Sequence, residues 1–547
     1  MKRCIALPLV VIIMMPVFSQ PEQLIYHDIK TDASGKIISW YDPDHRKAYN
    51  HIIQLVWNFW DTMRRDYNGI PYYMNHQVWQ PASNDARGLG GDQLQMALSS
   101  WMLLYAYTGN ERVKENMRFI ADYYITHSLS PPNAAWPNIP YPYNTFIYSG
   151  YYDGDMVIGK GFTQPDKAGS LGFELVKLYK LFGREYYPNK SNVEYLNTAI
   201  KIANTLAKHI TDGDYNNSPL PFKVDAITGK TGVLESNRRD GTHEGLSSYT
   251  SNWSGTLELF LALQQLNAGN TQQYKLAFDK LLNWMKKYPL QNNRWGPFFE
   301  DIPGWSDTQI NAITFAQFIM NHTELFPSWK TDVQKIFDWV YATLGNDKWK
   351  RYGVTAINEQ TAYRVPGNSH TSRQASAEMQ FMKLTGNYSR LDEAIRQLNW
   401  CTYMVDVDGK NRYPQDEIWL TDGYGDYIRH FLRAMAAVPE LAPADEDHIL
   451  SSTSIIQASR YFTHADSIRD MQSGNNRNKA RLFYTTFDST GQEVIRLRQK
   501  PSGVLFNNTP AKETTSPAEE GYSWKPLADG GVLTITRKKA WRVDIPW

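Results

Sequence analysis

Cysteine is nearly absent from this chain of 547 residues, in which only Cys4 and Cys401 occur. So few cysteines exclude a disulfide-stapled scaffold and a Cys-based metal cluster. Cys401 follows Trp400 in a predicted helix, so we predict a buried structural thiol. Net charge is also small, +1 at pH 7, which argues against a nucleic-acid groove or a polybasic membrane surface.

Several familiar motifs are missing as well. The sequence contains no GxxxxGK[ST], no GxGxxG opening a helix, no HExxH and no GxSxG. We therefore predict no cofactor and no dedicated metal site. A calcium site built from loop carbonyls and aspartates would leave no such motif.

One long apolar run is present, at the N-terminus. Lys2 and Arg3 precede the apolar stretch 5–18, and Ser19 or Gln20 offers a cleavage point. The run is too short for a comfortable membrane span. We predict a cleavable signal peptide over residues 1–20, a secreted or periplasmic location and no membrane insertion.

Aromatic residues are abundant, at 14% of the chain with 18 Trp and 34 Tyr. Most must pack in the core, but many lie in polar loops, as in 136–152, 295–305 and 413–427. Amphipathic rings in loops suit the apolar faces of sugar rings. A carbohydrate ligand is therefore expected.

Up to residue 438, helix-like apolar segments alternate between short and long connections. Three short links are nearly the same turn, at 108–110, 268–270 and 385–387. Segments rich in apolar and small residues alternate with segments that carry a charged stripe, and a helix apolar all round is buried whereas a striped one is peripheral. The pattern predicts a mainly α fold, an (α/α)6 toroid of six helical hairpins over residues 21–438.

The C-terminal part has a different period. Pro439, Pro443 and the acidic run 445–447 indicate a linker over 439–448. Beyond it, apolar and polar residues alternate with a period of two between Gly, Asn and Asp turns. We predict a small C-terminal antiparallel β-sandwich domain over 449–547.

The long loops lead into the inner helices, whose N-terminal ends favour an anionic ligand. Glycoside hydrolysis needs two carboxyl groups across the scissile bond, and Glu244 with Asp301 or Asp422 are the candidates. The competing interpretation is that acids at helix starts are N-caps. Asp166 and Asp307 fit that interpretation best.

β-Elimination from a uronic-acid polymer is the second reaction that suits these loops. It needs a base, an acid and a group that neutralises the carboxylate. His243 or His370 would act as the base and Tyr249 as the acid. The stretch Asn368–Thr385 resembles the helix entrance of toroidal alginate-lyase-like enzymes. A non-catalytic glycan-binding protein is the third hypothesis.

Arginines accompany these groups at 239, 364, 373 and 429. Arginine binds carboxylates in a bidentate manner, which indicates an anionic sugar, although ion pairs with loop acids would explain the same residues. The residues predicted to bind substrate are Arg239, Arg373, Asn368, Trp253, Trp305 and Asp92.

The whole layout resembles the six-hairpin glycosidase and toroidal polysaccharide lyase superfamilies, and the stretch 501–508 is similar to a strand and turn of their β-domains. The arrangement is most similar to the exported β-glucuronidases of glycoside hydrolase family 154. This resemblance implies an exported glycoside hydrolase acting on uronic-acid-containing polysaccharide or oligosaccharide, with a polysaccharide lyase as the alternative. The polymer, the linkage, endo or exo action and the oligomeric state stay open.

Overall fold

The structure, a computed structural model, describes residues 22–62, 91–141, 162–183, 192–235, 243–298, 305–411, 424–462, 480–516 and 518–547. The α-helices in these ranges, in chain order, are α1 His45–Thr62, α2 Gly91–Thr108, α3 Glu111–His127, α4 Pro165–Phe182, α5 Val193–His209, α6 Ser254–Gln265, α7 Thr271–Lys287, α8 Pro289–Asn292, α9 Gln309–Asn321, α10 Trp329–Leu344, α11 Asn368–Thr385, α12 Leu391–Thr402 and α13 Tyr424–Ala437.

The helices form a closed ring. Each of α2, α4, α6, α9, α11 and α13 packs on the next of this series, and α13 packs on α2. The outer helices α3, α5, α7, α10 and α12 follow or precede inner helices through short turns, and each packs against an inner partner. A mainly helical chain is thus confirmed, and these contacts agree with the predicted alternation of inner and outer helices.

The repeated turn has a clear physical basis. Gly109, Gly269 and Gly386 all adopt left-handed φ angles, between 65° and 74°. Gly109 and Gly386 directly follow the last residues of α2 and α11 at no steric cost, because glycine lacks a Cβ atom, whereas Gly269 lies further into the turn after α6. The next residue then serves the outer helix: the side chain of Asn110 accepts a hydrogen bond from the backbone N–H of Arg112, and that of Asn270 accepts one from Gln273.

The inner helices are buried, but they are not apolar all round as predicted. In α11 every residue from Asn368 to Met379 is buried, and most of them are polar. Gln374 donates to Glu378 at 2.7 Å within the helix, and Ser372 donates to the carbonyl of Asn368 at 2.7 Å. Hydrogen bonds of this kind offset the cost of taking polar groups out of water.

The strands, also in chain order, are β1 Gln23–Leu24, β2 His27–Asp28, β3 Phe162–Thr163, β4 Val224–Asp225, β5 Val233–Glu235, β6 His243–Leu246, β7 Gly345–Asn346, β8 Ala356–Ile357, β9 His448–Ser452, β10 Ile456–Tyr461, β11 Ala480–Thr486, β12 Gly491–Leu497, β13 Leu505–Phe506, β14 Thr509–Pro510, β15 Gly521–Pro526, β16 Gly531–Arg537 and β17 Arg542–Pro546. The C-terminal strands form two sheets, ordered β10-β11-β17-β13-β14 and β15-β16-β12-β9. Leu482 and Ile545 of the first sheet share one apolar cluster with Ile495 and Leu533 of the second.

The stretch 439–448 is more ordered than the predicted linker. A 3-10 turn covers Pro439–Leu441, and β9 begins at His448. Asp447 is buried and pairs with the fully buried Arg481, and it accepts a hydrogen bond from the backbone N–H of Arg498 at 2.9 Å. The acidic run is therefore part of the packed structure, because an arginine offsets the burial of its last carboxylate.

This stretch also joins the sheets to the helices. The His448 ring stacks on Tyr107 with centroids 3.8 Å apart, and its Nδ1 lies 2.9 Å from the Tyr107 carbonyl. Glu446 lies 3.0 Å from Nε2 of His448 and accepts a hydrogen bond from Asn50 of α1 at 3.2 Å. Strand β9 is thereby bound to both α1 and α2.

Two predictions about the N-terminal part and the membrane have different outcomes. The predicted signal peptide, residues 1–20, lies outside the described residues. Across the helices that the structure describes, none is both long and apolar enough to cross a bilayer.

Replacing Asp447 by Asn should lower the free energy of unfolding by about 3 kcal/mol at neutral pH, because Arg481 would be left buried without its counter-charge. Burial alone would raise the pKa of Asp447, but Arg481 holds it below its ordinary value. A carboxyl with a depressed folded pKa stabilises the protein above its unfolded pKa, and that contribution is lost as the pH falls below about 4.

Urea unfolding of both proteins at neutral and acidic pH measures this effect. The difference between wild type and variant should shrink as the pH is lowered. Asp347→Asn, which removes an exposed partner of Lys350, is the control and should change stability by less than about 1 kcal/mol. If wild type and Asp447→Asn differ equally in stability at both pH values, the lowered pKa of Asp447 is contradicted.

Candidate active site

The first turn of α4 holds a buried ion pair. Nζ of Lys167 lies 2.9 Å from Oδ2 of Asp166, and Asn252 donates to the same oxygen at 2.8 Å. Lys167 also donates to the carbonyl of Phe298 at 2.9 Å, and its ammonium lies 3.4 Å from the centre of the Phe298 ring. The two charges are thus matched by each other, an amide, a carbonyl and an aromatic face.

The first turn of α9 holds the segment that contains Phe298. Nδ2 of Asn311 lies 3.1 Å from the carbonyl oxygens of Trp295 and Gly296 and 3.2 Å from that of Pro297. One buried amide therefore fixes three consecutive carbonyls. This segment lies between the starts of α4 and α9 and connects them.

A second set of contacts joins α9 to α11. Nη1 of Arg373 donates to Oε1 of Gln309 at 2.9 Å, and Nε2 of Gln309 donates to the carbonyl of His370 at 3.1 Å. All three residues are buried, with Arg373 only 1% exposed. Gln309 is therefore a neutral bridge that orients the guanidinium group.

Together these residues form two hydrogen-bonded sets, linked by α9, at the starts of α4, α9 and α11 and just ahead of α6. We call this group the polar arc, and its members are Asp166, Lys167, Asn252, Gln309, Asn311, His370 and Arg373. Backbone N–H groups at helix starts carry partial positive charge. The polar arc adds two cationic side chains and one carboxylate to that field, and all three are buried.

The N-cap interpretation of Asp166 and Asp307 is wrong. The cap of α4 is Gln164 and that of α9 is Thr308. Asp307 instead accepts hydrogen bonds from the backbone N–H groups of Trp295 and Gly296, at 2.7 and 2.8 Å. Both carboxylates bind groups from other segments of the chain, and this is why they do not cap their own helices.

The two tryptophans predicted to stack on sugar differ sharply. Trp305 is 38% exposed, its Nε1 donates to Asp307 at 2.9 Å, and the guanidinium of Arg294 lies 3.7 Å from its ring centre. Trp253 is 0% exposed and donates to the carbonyl of Thr250 at 2.7 Å. Trp253 therefore belongs to the core, which corrects its expected role, whereas Trp305 keeps part of its ring exposed beside Arg294.

Tyr249 and Asn368 also differ from their predicted roles. The hydroxyl of Tyr249 donates to the carbonyl of Arg294 at 2.5 Å, and burial raises its pKa. That proton is engaged in the structure, which weighs against its use as a lyase acid. Asn368 donates to Asn411 and accepts from the N–H of Ser369 at 2.7 Å, so its side chain organises the helix start and is not open to substrate.

Cys401 is the buried structural thiol that the sequence indicated. It is completely buried, and its Sγ donates to the carbonyl of Asn368 at 3.3 Å. Burial raises the pKa of the thiol well above its ordinary value. A neutral thiol of this kind is unreactive.

Several candidates cannot be placed. Arg239, Asp301 and Asp422 lie outside the described residues. His243 and Glu244 lie in β6, which pairs with β5 ahead of α6, and Asp92 lies in the first turn of α2. The side chains of those three are outside the described part of the chain. The roles proposed for these six residues stay predictions.

The described ranges contain no group of three or more His, Cys, Asp or Glu side chains that could hold a metal ion. Asn311 of the polar arc is not among the residues predicted from the sequence. Its signal was a single amide within the otherwise apolar run Ile310–Ile313. A polar residue in such a run is a candidate for a buried hydrogen-bonding role.

Comparison with known proteins gives a likeness in structure only. No family model matches the chain, and no curated protein matches it. Among solved structures, a cellobiose 2-epimerase from Spirochaeta thermophila has a TM-score of 0.48 at 13% identity, covering 73% of this chain and 98% of its own.

Two further solved structures are described as hydrolases of sugars. A family 76 glycoside hydrolase from a bovine Bacteroides thetaiotaomicron strain has a TM-score of 0.43 at 13% identity, covering 73% of this chain and 78% of its own. An unsaturated glucuronyl hydrolase specific for heparin has a TM-score of 0.38 at 9% identity, covering 73% of this chain and 99% of its own. At TM-scores below 0.5 these likenesses carry no conclusion about the activity of this chain.

The buried pair of the polar arc makes a prediction that a double-mutant cycle can test. Asp166→Asn or Lys167→Met alone should each lower the free energy of unfolding by about 3–5 kcal/mol, since each leaves an uncompensated buried charge. The double variant should lose clearly less than the sum of the two, because no charge remains buried alone. Urea unfolding gives the three values, and simple additivity would contradict the coupling.

Proposed function

We propose that this protein is an exported glycoside hydrolase acting on uronic-acid-containing polysaccharide or oligosaccharide. The observation that supports this proposal is the polar arc. Burying opposite charges and amides at helix starts costs desolvation energy that apolar side chains would not. A ring with a purely structural role has no need for such groups at the convergent N-terminal ends of its inner helices.

The chemistry requires two carboxyl groups. One gives a proton to the glycosidic oxygen, while the other acts either as a base on water or as a nucleophile on C1. In both cases the bond from C1 to the leaving oxygen breaks, and water finally supplies the new C1–OH group and the proton that restores the acid. We assign these roles to Glu244 with Asp301 or Asp422. We use the word mouth for the end of the ring formed by the N-terminal ends of the inner helices. In the sequence these acids precede α6, α9 and α13, and this order supports their assignment to the mouth.

The polar arc would prepare this mouth for an anionic sugar. Because Arg373 is buried and bound to Gln309, we give it a positioning role: it keeps positive charge beneath the mouth. Direct contact with the uronate carboxylate is assigned to Arg239, in the loop ahead of α6. The open ring of Trp305 would stack on a sugar.

We also infer the division of the chain. The ring occupies 21–438 after a signal peptide, and the C-terminal region forms a β-sandwich over 449–547. The support for the sandwich is the apolar cluster shared by the two C-terminal sheets. Two antiparallel sheets that bury a common apolar face are the usual arrangement of such a domain.

Incubation of the full chain with uronate polymers tests the activity. New reducing ends should form without the ultraviolet absorbance of an unsaturated uronate. A rise of both signals would contradict hydrolysis and favour β-elimination, whereas neither signal on a broad glycan panel would favour a binding protein.

Glu244→Gln and at least one of Asp301→Asn and Asp422→Asn should lower kcat by about 10²- to 10⁴-fold. Glu115→Gln, exposed on α3, should leave kcat unchanged.

The platform role of Trp305 has a matched control in Trp541, which is 41% exposed on the C-terminal sheets. Trp305→Ala should raise KM for an oligosaccharide about three- to tenfold with little change in kcat, because a stacking contact is lost. Trp541→Ala should leave both constants unchanged. Equal effects of the two substitutions would contradict a specific platform at the mouth.

A further inference from the structure

A cavity of about 300 Å³ lies inside the ring, lined by five of the six inner helices. Met96, Phe298 and Ile310 line one end and form a small apolar cluster apart from the main core. Asn252 of the polar arc borders the same end. The cavity therefore begins beneath the polar arc and extends along the ring axis away from it.

The other end approaches the short-turn side of the ring. Asn321, the last residue of α9, is exposed, and the side chains of Lys177 and Glu258 are partly exposed. Ile455, which lies between β9 and β10, borders the cavity as well. Solvent thus reaches the cavity beside the C-terminal sheets, on the face opposite the proposed catalytic mouth.

Two carboxylates line this cavity from adjacent helices. Helices α4 and α6 approach closely: a Cβ atom on Gly169 would lie 1.9 Å from Oγ1 of Thr256, and one on Gly255 would lie 2.3 Å from Oγ of Ser170. Only glycine fits at such a contact. The close approach lets Glu174 of α4 and Glu258 of α6 face one space.

Glu174 keeps acceptor capacity, whereas Oε1 of Glu258 lies 2.9 Å from Nε2 of His322. Oε1 of Glu174 lies 2.6 Å from Nζ of Lys177, while its Oε2 is buried and has no hydrogen-bond partner among the described residues. Oε1 of Gln95 is likewise buried and unpartnered within the described ranges. Unmatched buried acceptors in a cavity point to a ligand that donates hydrogen bonds.

Cations line the wall formed by α13. Arg429 and Arg433 are one helical turn apart and both border the cavity. Nη1 of Arg429 donates to Oγ of Ser99 at 2.6 Å, and Nη1 of Arg433 lies 3.3 Å from Oε1 of Gln317. Each guanidinium carries five N–H donors, so two of them suit a carboxylate.

We propose that this cavity is a second binding site, for a single small acidic sugar of the hexuronate type. Its carboxylate would bind Arg429 and Arg433, and its hydroxyl groups would donate to Glu174 and Gln95. Phe173 and Phe318, which also line the cavity, offer apolar faces to the sugar ring. The volume is at the lower end of the range for ligand pockets, about 300–1,000 Å³, which suits a monosaccharide and not a polymer.

Isothermal titration calorimetry of the full chain tests this site, with D-glucuronate as the probe and D-glucose and acetate for comparison. Glucuronate should bind more tightly than either, since only it has both a carboxylate and a set of hydroxyl groups. Arg433→Gln should weaken glucuronate binding about tenfold or more and leave glucose binding unchanged. Glu174→Gln should weaken both sugars. Arg112→Gln and Glu115→Gln, on the outer helix α3, should change neither.

A substitution that fills the cavity distinguishes loss of binding from loss of the folded structure. Thr314 lines the cavity, and Thr314→Leu should abolish glucuronate binding while the urea midpoint stays within the range of the control variants. Absence of glucuronate binding to the wild-type protein would overturn the proposal. Binding that survives Arg433→Gln, Glu174→Gln and Thr314→Leu, or that is lost in Trp305→Ala instead, would also overturn it. Glucuronate bound at the mouth would be weakened by Trp305→Ala and unchanged by Arg433→Gln, so these variants and the stoichiometry distinguish the two sites whether or not the protein has the proposed activity.

Discussion

The packing of the last inner helix on the first is the contact on which the rest of the structure depends. Helix α13 meets α2 over its length, and Arg429 reaches Ser99 across that interface. Without this contact the helical hairpins would form an open arc with exposed inner faces. With it, the inner helices are largely buried, and the ring encloses the axial cavity.

The closed ring also constrains which side chains can line its axis. Six inner helices around one axis leave space that helical side chains must fill or line, and here polar groups line much of it. The polar arc and the residues of the axial cavity are held by amides that bridge neighbouring helices, as Gln309 does between α9 and α11. Satisfied hydrogen bonds make such burial tolerable, and they also fix the relative rotation of the helices.

Much of the fold could be predicted from the sequence because its signals are local. Apolar periodicity and the repeated Gly-Asn turn define helices such as Glu111–His127 and Trp329–Leu344 within a few residues of their bounds. The strands within 448–461 are harder to predict than the later ones, because apolar and polar residues do not alternate strictly there. Their order comes from partners far along the chain, such as Tyr107 for His448.

The sequence could predict which loops hold the candidate site, but it could not predict how the side chains pair. Trp253 and Trp305 look alike in the sequence, and both precede inner helices, but only the fold distinguishes a core ring from an open one. The partner of Asp166, Asn252, is 86 residues away. Side-chain partners at such separations leave no trace in a single sequence, so groups that share one loop could be named while their pairings could not.

The junction of the N-terminal helices with the far end of the chain has a consequence for folding kinetics. The hydroxyl of Tyr49 in α1 donates to Asn399, 350 residues later, and Tyr107 receives His448 341 residues later. Contacts of such high sequence separation form slowly, because loop-closure entropy must be overcome first. During synthesis the part of α1 that packs on α12 and α13 therefore stays uncovered until most of the chain is available, and this apolar surface is open to aggregation until the ring closes.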